Sequence, residues 1–259
     1  MTTLAQSMGP SPCLLSSWLA PLVCCFQCRF FEIIFTIHLP ERGYPREVED
    51  LAAHINQPRF SHLLRRFLYE IRNPNSDIPS ADVDINDCPH LWGPIHVYHS
   101  AIARFYAPSD LCGAGGMYRE RIRSHPNWHG EHPRRDTMFV EINAELDGMP
   151  GMAIARALLF FSFRFDDTYY PCALVHWLTP GNEPDEDTGL WVVQPEFEGN
   201  GRRTLAIIHL DCVARGAHLL PVYGSTFVPE DFYFSDALDA FRAYFVNRHI
   251  DHHSHNFIK

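Results

Sequence analysis

The sequence is short of the motifs that announce a chemistry. No G-x-x-x-x-G-K-[ST] run occurs; "CGAGG" at 112–116 has no lysine and follows no convincing strand, so it reads as a turn. No G-x-S-x-G elbow occurs either. Cys172, Cys212 and Ser225 have His176, His209 and His218 nearby in the chain, but nearness along a chain does not assemble a nucleophilic triad. The acidic run "NEPDEDTG" (Glu183, Asp185, Glu186, Asp187) lacks the EF-hand order of ligands and its distal glutamate, and reads as a solvated loop. Metal-dependent strand chemistry needs carboxylates converging from separate core elements, and the strand ends offer too few to name a set.

Basic charge is scarce too. Twenty-one Lys and Arg face 31 Asp and Glu, for a net charge of −10, and from Arg134 onward 18 acidic residues outnumber 10 basic ones. Basic runs are local ("RRF", "MYRERIR"), so tight unaided nucleic-acid binding is not expected. The eight cysteines have no disulfide-framework spacing and read as reduced, mostly buried thiols. Cys25 and Cys28 in "CCFQC" make half a zinc site with no second pair at finger spacing downstream.

Apolar residues are plentiful: 46% of the chain, with 19 Phe, which predicts a packed core. The 20 prolines predict short elements separated by turns. Residues 1–43 form an apolar leader. Its stretch 13–39 is broken by Pro21 and ends its charge-free part at Arg29, which suits neither a spanning helix nor a signal peptide well. Residues 44–133 read as a helical and irregular region. Val48, Leu51 and Ala52 mark one apolar face; Phe60, Leu63, Leu64, Phe67, Leu68 and Ile71 mark a second, beyond Gln57-Pro58. A short helix over Ala101–Tyr106 and further helical turns in "MYRERI" are predicted, with His125, His129 and His132 around Trp128 as a packed turn.

From 134 to 259 the texture changes to short β-branched and aromatic runs. They are separated by turns at Asp147-Gly148, Asp166-Asp167, Pro180-Gly181 and Gly199-Asn200-Gly201. Five or six strands predict a small, mainly antiparallel β-barrel-like domain, BAH-like in shape. It closes on a C-terminal helix N-capped by Ser235, with Leu238, Phe241 and Phe245 on one face. The fold class is therefore α+β.

The metal candidates are weak. Cys88, His90, His96 and His99 give C-x-H…H-x-x-H, which is no standard finger spacing. In the closing stretch "VNRHIDHHSHNFIK", His249 and His253 share a side if the chain is helical there, and His253 and His255 do if it is extended. Neither pair supplies three or four ligands, and no cofactor is expected. Tyr169, Tyr170, Trp177 and Trp191 can line a recognition groove or fill the barrel.

Taken together, "AHINQP", "RRFLYE", "ARFYAPSDLCGAGGMYRERIRSHPNWHG", "YPCALVHWLTPGNEPDEDTGLWVV", "IIHLDCVARGAHLLPVYG" and "DALDAFRAYFVNRHIDHHSHNFI" resemble a known group. It comprises basidiomycete proteins related to the Plavaka transposases of the CACTA (En/Spm-like) class. The resemblance spans roughly residues 44–258 and leaves out the leader. It implies a fragment or domesticated remnant without the upstream catalytic region, hence no enzyme. It places Asp211, Arg215, His218, Asn247 and Asp251 in the group's closing module as structural or interaction residues. The expectation is a protein or chromatin interaction module, nuclear or cytoplasmic and not a membrane protein. The alternatives are a zinc-binding accessory domain for nucleic-acid chemistry and a protein anchored in a membrane through residues 13–39.

Overall fold

The computed structural model of this chain describes residues 36–37, 40–107, 115–225, 227–228 and 230–258. Within the leader, Cys25 and Cys28, and all of 13–39 except Thr36 and Ile37, lie outside the described residues. Helix α1 (Val48–His54) and helix α2 (Phe60–Arg72) fall on the two apolar faces read from the sequence. The break comes at Asn56, whose φ of 53° only short polar residues and glycine adopt readily, and at Pro58. Phe60, Leu64, Phe67 and Leu68 of α2 are buried. The arginines off that face tie down the following linker: Arg65 Nη2 donates to the Cys88 carbonyl (2.8 Å) and Arg66 to that of Ser80.

Every strand pairing is antiparallel. One sheet runs in the order β1 (Thr36–Ile37), β3 (Ser100–Tyr106), β4 (Met117–Trp128), β5 (His132–Arg135). Beside it, β2 (His96–Tyr98) pairs with β7. The larger sheet runs β11 (Val213–Ala217), β6 (Thr137–Glu141), β7 (Met152–Phe165), β8 (Thr168–Pro180), β9 (Val192–Pro195), β13 (Tyr244–Val246), β12 (Leu219–Pro221), with β10 (Leu205–His209) on β8. The molecule is thus mainly antiparallel β, with a nearly closed, barrel-like sheet and a few helices. Among the described residues eight strands follow residue 134 rather than five or six.

The expected helix over 101–106 and the helical turns in "MYRERI" are instead β3 and β4. Their Arg and Glu content favours helix, but burial alternates along β4: Tyr118, Glu120 and Ile122 are more buried than Met117, Arg119 and Arg121. The sheet supplies a hydrogen-bonded partner at every second residue, and that outweighs a weak propensity.

The spine is the β7–β8 hairpin, closed at Phe165↔Thr168 by Asp166 (φ 48°) and Asp167 (φ 61°), a two-residue turn with both central residues left-handed. A bulge between Ala157 and Leu159 shifts its register. Both faces are covered. Inside lie Met138, Ala155, Ala157, Phe160, Ala173, Val175 and Trp177, closed over by Ala101, Ala103, Phe105 and Ile122 of β3 and β4. Outside, at one end, Leu159, Phe161, Phe163, Leu174 and Ile207 meet α1 and α2. At the other end Phe139, Ile154, Leu178, Tyr244 and Ile258 pack with Leu238 and Phe241. Removing these side chains from water is the principal stabilising term.

The long helix expected from Ser235 does not form. A 3-10 turn over Phe234–Asp236 runs into a four-residue helix, α3 (Ala237–Ala240), and the chain then extends to place β13 between β9 and β12. Ser235 is no N-cap; its hydroxyl bonds the Asp236 carboxylate. Tyr244 overrides the helical spacing: fully buried, it donates to the carbonyls of Ala237 (3.1 Å) and Phe241 (3.2 Å), groups a longer helix would have used itself. A final short helix, α4 (His252–Phe257), follows.

Candidate functional site

Two arginine centres lie under the segments from 237 to 258. The first gathers Arg215, Asp251 and His253 of the closing module. A bulge in β11 between Val213 and Arg215 breaks the register there, and the Arg215 side chain is only 2% exposed. Its Nη1 and Nη2 donate to Asp251 Oδ1 (3.0 Å) and Oδ2 (2.5 Å), a bidentate pair. Nη1 also lies 2.9 Å from His253 Nδ1. A guanidinium has donors only, so Nδ1 accepts and the imidazole is the neutral tautomer with its proton on Nε2. Below, the guanidinium stands over the Phe105 ring at 4.8 Å, and the His253 ring stacks on the same Phe105.

Glu120 of β4 completes this centre. Its Oε2 accepts from the Gly216 N–H at 2.9 Å and lies 3.8 Å from Arg215 Nε. A Cβ on Gly216 would come within 2.7 Å of Glu120 Oε1, so glycine permits this close approach. Asp251 is in turn the N-cap of α4, accepting from Ser254 N at 2.6 Å. Burial raises the Asp251 pKa, but the bonds from Arg215 and Ser254 more than offset it and hold the carboxyl below its ordinary value. One guanidinium therefore meets two carboxylates, and the centre acts as a clasp.

The second centre was not anticipated from sequence. The register aligns Thr137↔Arg156, Arg156↔His176 and His176↔Leu205 across β6, β7, β8 and β10. Arg156 and His176 alternate with inward-facing Ala155, Ala157, Val175 and Trp177, so both face outward. Arg135 and Arg203 stand two residues before Thr137 and Leu205, and their charges bear on His176. One carboxylate meets them: Asp239 of α3 accepts from Arg156 Nη1 (2.6 Å) and pairs with Arg203 Nη2 at 3.5 Å. Asp239 is 60% exposed, whereas the Arg156 side chain is 10% exposed and its buried Nε has no hydrogen-bond partner. Among the described residues no carboxylate pairs with Arg135 within 4 Å.

Electrostatics register this imbalance. Burial first, then the charges of Arg203, Arg156 and Arg135, push the His176 pKa down to about 4. Arg135 and Arg203 are themselves lowered, chiefly by burial. All these cations are arginines; the single lysine of the chain is Lys259. Planar guanidinium groups suit bidentate recognition of oxyanions. The only sequence signal was Arg156, a charge inside the apolar run "AIARALLFF".

The other candidates scatter. Cys88 is buried, its Sγ 3.7 Å from the Asp84 carbonyl, while His90 stacks on Trp92. His96 sits on β2, and His99 contacts Tyr44, Glu41 and His125. His249 precedes α4, so it shares no helical face with His253; its ring lies near His255 at 5.7 Å. Among the described residues no three His, Cys, Asp or Glu side chains are grouped to hold a metal ion. Asn247 and His218 bond each other twice, Asn247 N to the His218 carbonyl (2.9 Å) and Nδ2 to the ring Nδ1 (3.1 Å). His209 caps the short turn that contains Asp211, its Nδ1 accepting from the Asp211 backbone N–H at 3.2 Å. Trp177 is buried inside the barrel, Trp191 packs partly against the outer core, and Tyr169 is 46% exposed, so the three form no common groove. No protein-family model, curated protein or solved structure matches this chain.

Proposed function

We propose that the chain is a non-catalytic interaction module of transposase-related descent whose partner is a protein. The descent rests on the motifs quoted from the sequence, and a BAH-like shape for the barrel is a comparison of architecture alone. One observation carries the interaction reading. Between β12 and α3 the chain presents Tyr223, Phe227, Tyr233 and Phe234, respectively 66, 100, 58 and 72% exposed. Tyr233 and Phe234 flank His132 at the tip of the β4–β5 hairpin. Large aromatics are enriched in protein interfaces, and four of them exposed within residues 223–234 mark a contact segment. The non-catalytic part is supported by two internal pairings near the end of the sequence, Arg215 with Asp251 and Asn247 with His218. A chromatin protein is one such partner. Among the described residues no helix is long and apolar enough to cross a membrane.

The test is site-specific photo-crosslinking from position 227 of the full chain in cells that express it, with position 183 as control. A defined partner captured from 227, and lost when Phe234→Ala is added, is the expected result. Equal capture from both positions would sink the reading. Cleavage of supercoiled DNA by the purified chain with Mg²⁺ or Mn²⁺ would overturn its non-catalytic part.

A further inference from the structure

Helix α3 follows the aromatic segment directly in sequence, but the arginines beneath it have no role in that surface. Their charge does not balance. Two guanidinium groups, of Arg156 and Arg203, meet one carboxylate, the charge of Arg135 also bears on it from farther off, and that carboxylate is the most exposed member of the group. The Arg156 Nε–H is buried with no partner, although it belongs to the guanidinium that Asp239 already engages. A buried donor left open beside an excess of positive charge is an oxyanion site partly filled from within. We infer that Arg135, Arg156 and Arg203 bind a phosphate monoester carried on a protein partner, and that Asp239 occupies the site in its absence.

The charge count selects the ligand. With Asp239 in place the row keeps an excess of two positive charges, which a monoester phosphate, close to a dianion at neutral pH, offsets best. A phosphodiester supplies one charge per group. The net charge of −10 also opposes approach of a nucleic-acid polyanion. Three terminal oxygens match three guanidinium groups, each able to donate in pairs. Arg203 is held for this task, its guanidinium lying over the Phe197 ring at 5.3 Å with its edge toward Asp239. Asp239 sits on a four-residue helix whose Ala237 carbonyl is held by Tyr244, so the carboxylate can swing outward while the sheet stays fixed.

The inference rests on the protein-interaction reading, and its test separates the two. The full chain in phosphate-free buffer at constant ionic strength is titrated with inorganic phosphate, phenyl phosphate and a single-stranded oligodeoxynucleotide, followed calorimetrically and through arginine Nε–H resonances. Saturable binding of both phosphates is expected, shifting the Arg156 Nε–H. Asp239→Asn should tighten it by about tenfold, since it removes a charged competitor. A gain cannot come from misfolding, so this variant keeps the test sharp even where Arg156→Gln fails to fold; Arg203→Gln, nearer the surface, should weaken binding by about tenfold. No saturable binding, an unchanged affinity in Asp239→Asn, or tighter binding of the oligonucleotide than of phenyl phosphate overturns the inference. If a partner crosslinked from position 227 is captured equally after phosphatase treatment, the phosphate inference falls and the interaction reading stands. Phosphate binding at the row without any such partner supports the site and overturns the interaction reading.

Discussion

Arg215 and Arg156 are both buried guanidinium groups that meet an aspartate from the last 25 residues of the sequence, yet they are built for opposite ends. Around Arg215 stand two carboxylates, an imidazole nitrogen and an aromatic ring; its buried Nε also lacks a hydrogen bond, but it faces the Glu120 carboxylate at 3.8 Å, and Asp251 is three-quarters buried. Around Arg156 two further arginines crowd in, and the one carboxylate is largely in water. Charge compensation in the first is complete and internal, which suits a fixed joint. In the second it is deficient, which leaves free energy to be gained from an outside anion. Burial of an arginine alone does not tell the two apart; the count of opposing charges does.

The comparison can be broken by four measurements, in falling order of effect. Asp251→Asn keeps a good N-cap for α4 but strands Arg215, and should cost about 3–5 kcal/mol in urea unfolding. Adding Arg215→Met should recover much of that loss. Asp239→Asn should cost only about 1 kcal/mol, because that carboxylate is mostly exposed. Inorganic phosphate should recover the Asp239→Asn loss and raise that variant's midpoint more than it raises that of Asp251→Asn, whose row still holds its own carboxylate; equal shifts in the two variants would erase the distinction.

Acidity distinguishes the centres next. The His176 pKa falls from 6.5 when unfolded to about 4 when folded. Between these values the unfolded chain binds the extra proton, so stability is lost as pH falls from about 6.5 toward 4 and is unaffected above that window. His176→Gln should flatten denaturation midpoints across it. Asp251, held below its ordinary value of 3.8, acts in a lower window, its stabilisation fading only as pH drops below 3.8. The exposed pair Arg72–Asp166, with both side chains about half in water, sets the floor. Asp166→Asn retains the left-handed turn and should leave the unfolding midpoint unchanged; a measurable loss would mean exposed pairs count for more here than assumed.

Legibility followed the range of the interaction. The two-residue turn at Asp166-Asp167 and the apolar face of α2 depend on near neighbours and could be read directly. The strand character of 117–128 was also present as a period of two, but Arg and Glu masked it because their helix preference is stronger than their preference for an exposed strand. The expected helix from Ser235 failed because β9 and β12, distant in sequence, claim residues 244–246 as their shared neighbour. Of the residues that the resemblance groups in a closing module, Arg215 and Asp251 meet, and their bidentate geometry needs the bulge in β11, which the sequence does not announce. The arginine row was invisible for a simple reason. Its members stand on β5, β7, β8 and the segment just before β10, about 20 to 27 residues apart in sequence, and only the register brings them together.

The long β7–β8 hairpin has a kinetic consequence. Its ends are joined by the shortest common loop, and β6, β2, β9 and β10 all add to one of its two strands. Local pairing closes with little loss of chain entropy, so this ribbon should be the folding nucleus, with the highest φ-values at Phe161 and Cys172 and the lowest in β13. The reverse ranking would exclude it. In that order of assembly Arg156 and His176 are opposed from the start, while Asp239 arrives among the last residues to dock. The cationic row is thus built before the group that covers it, and an anion in the folding medium should meet it uncovered.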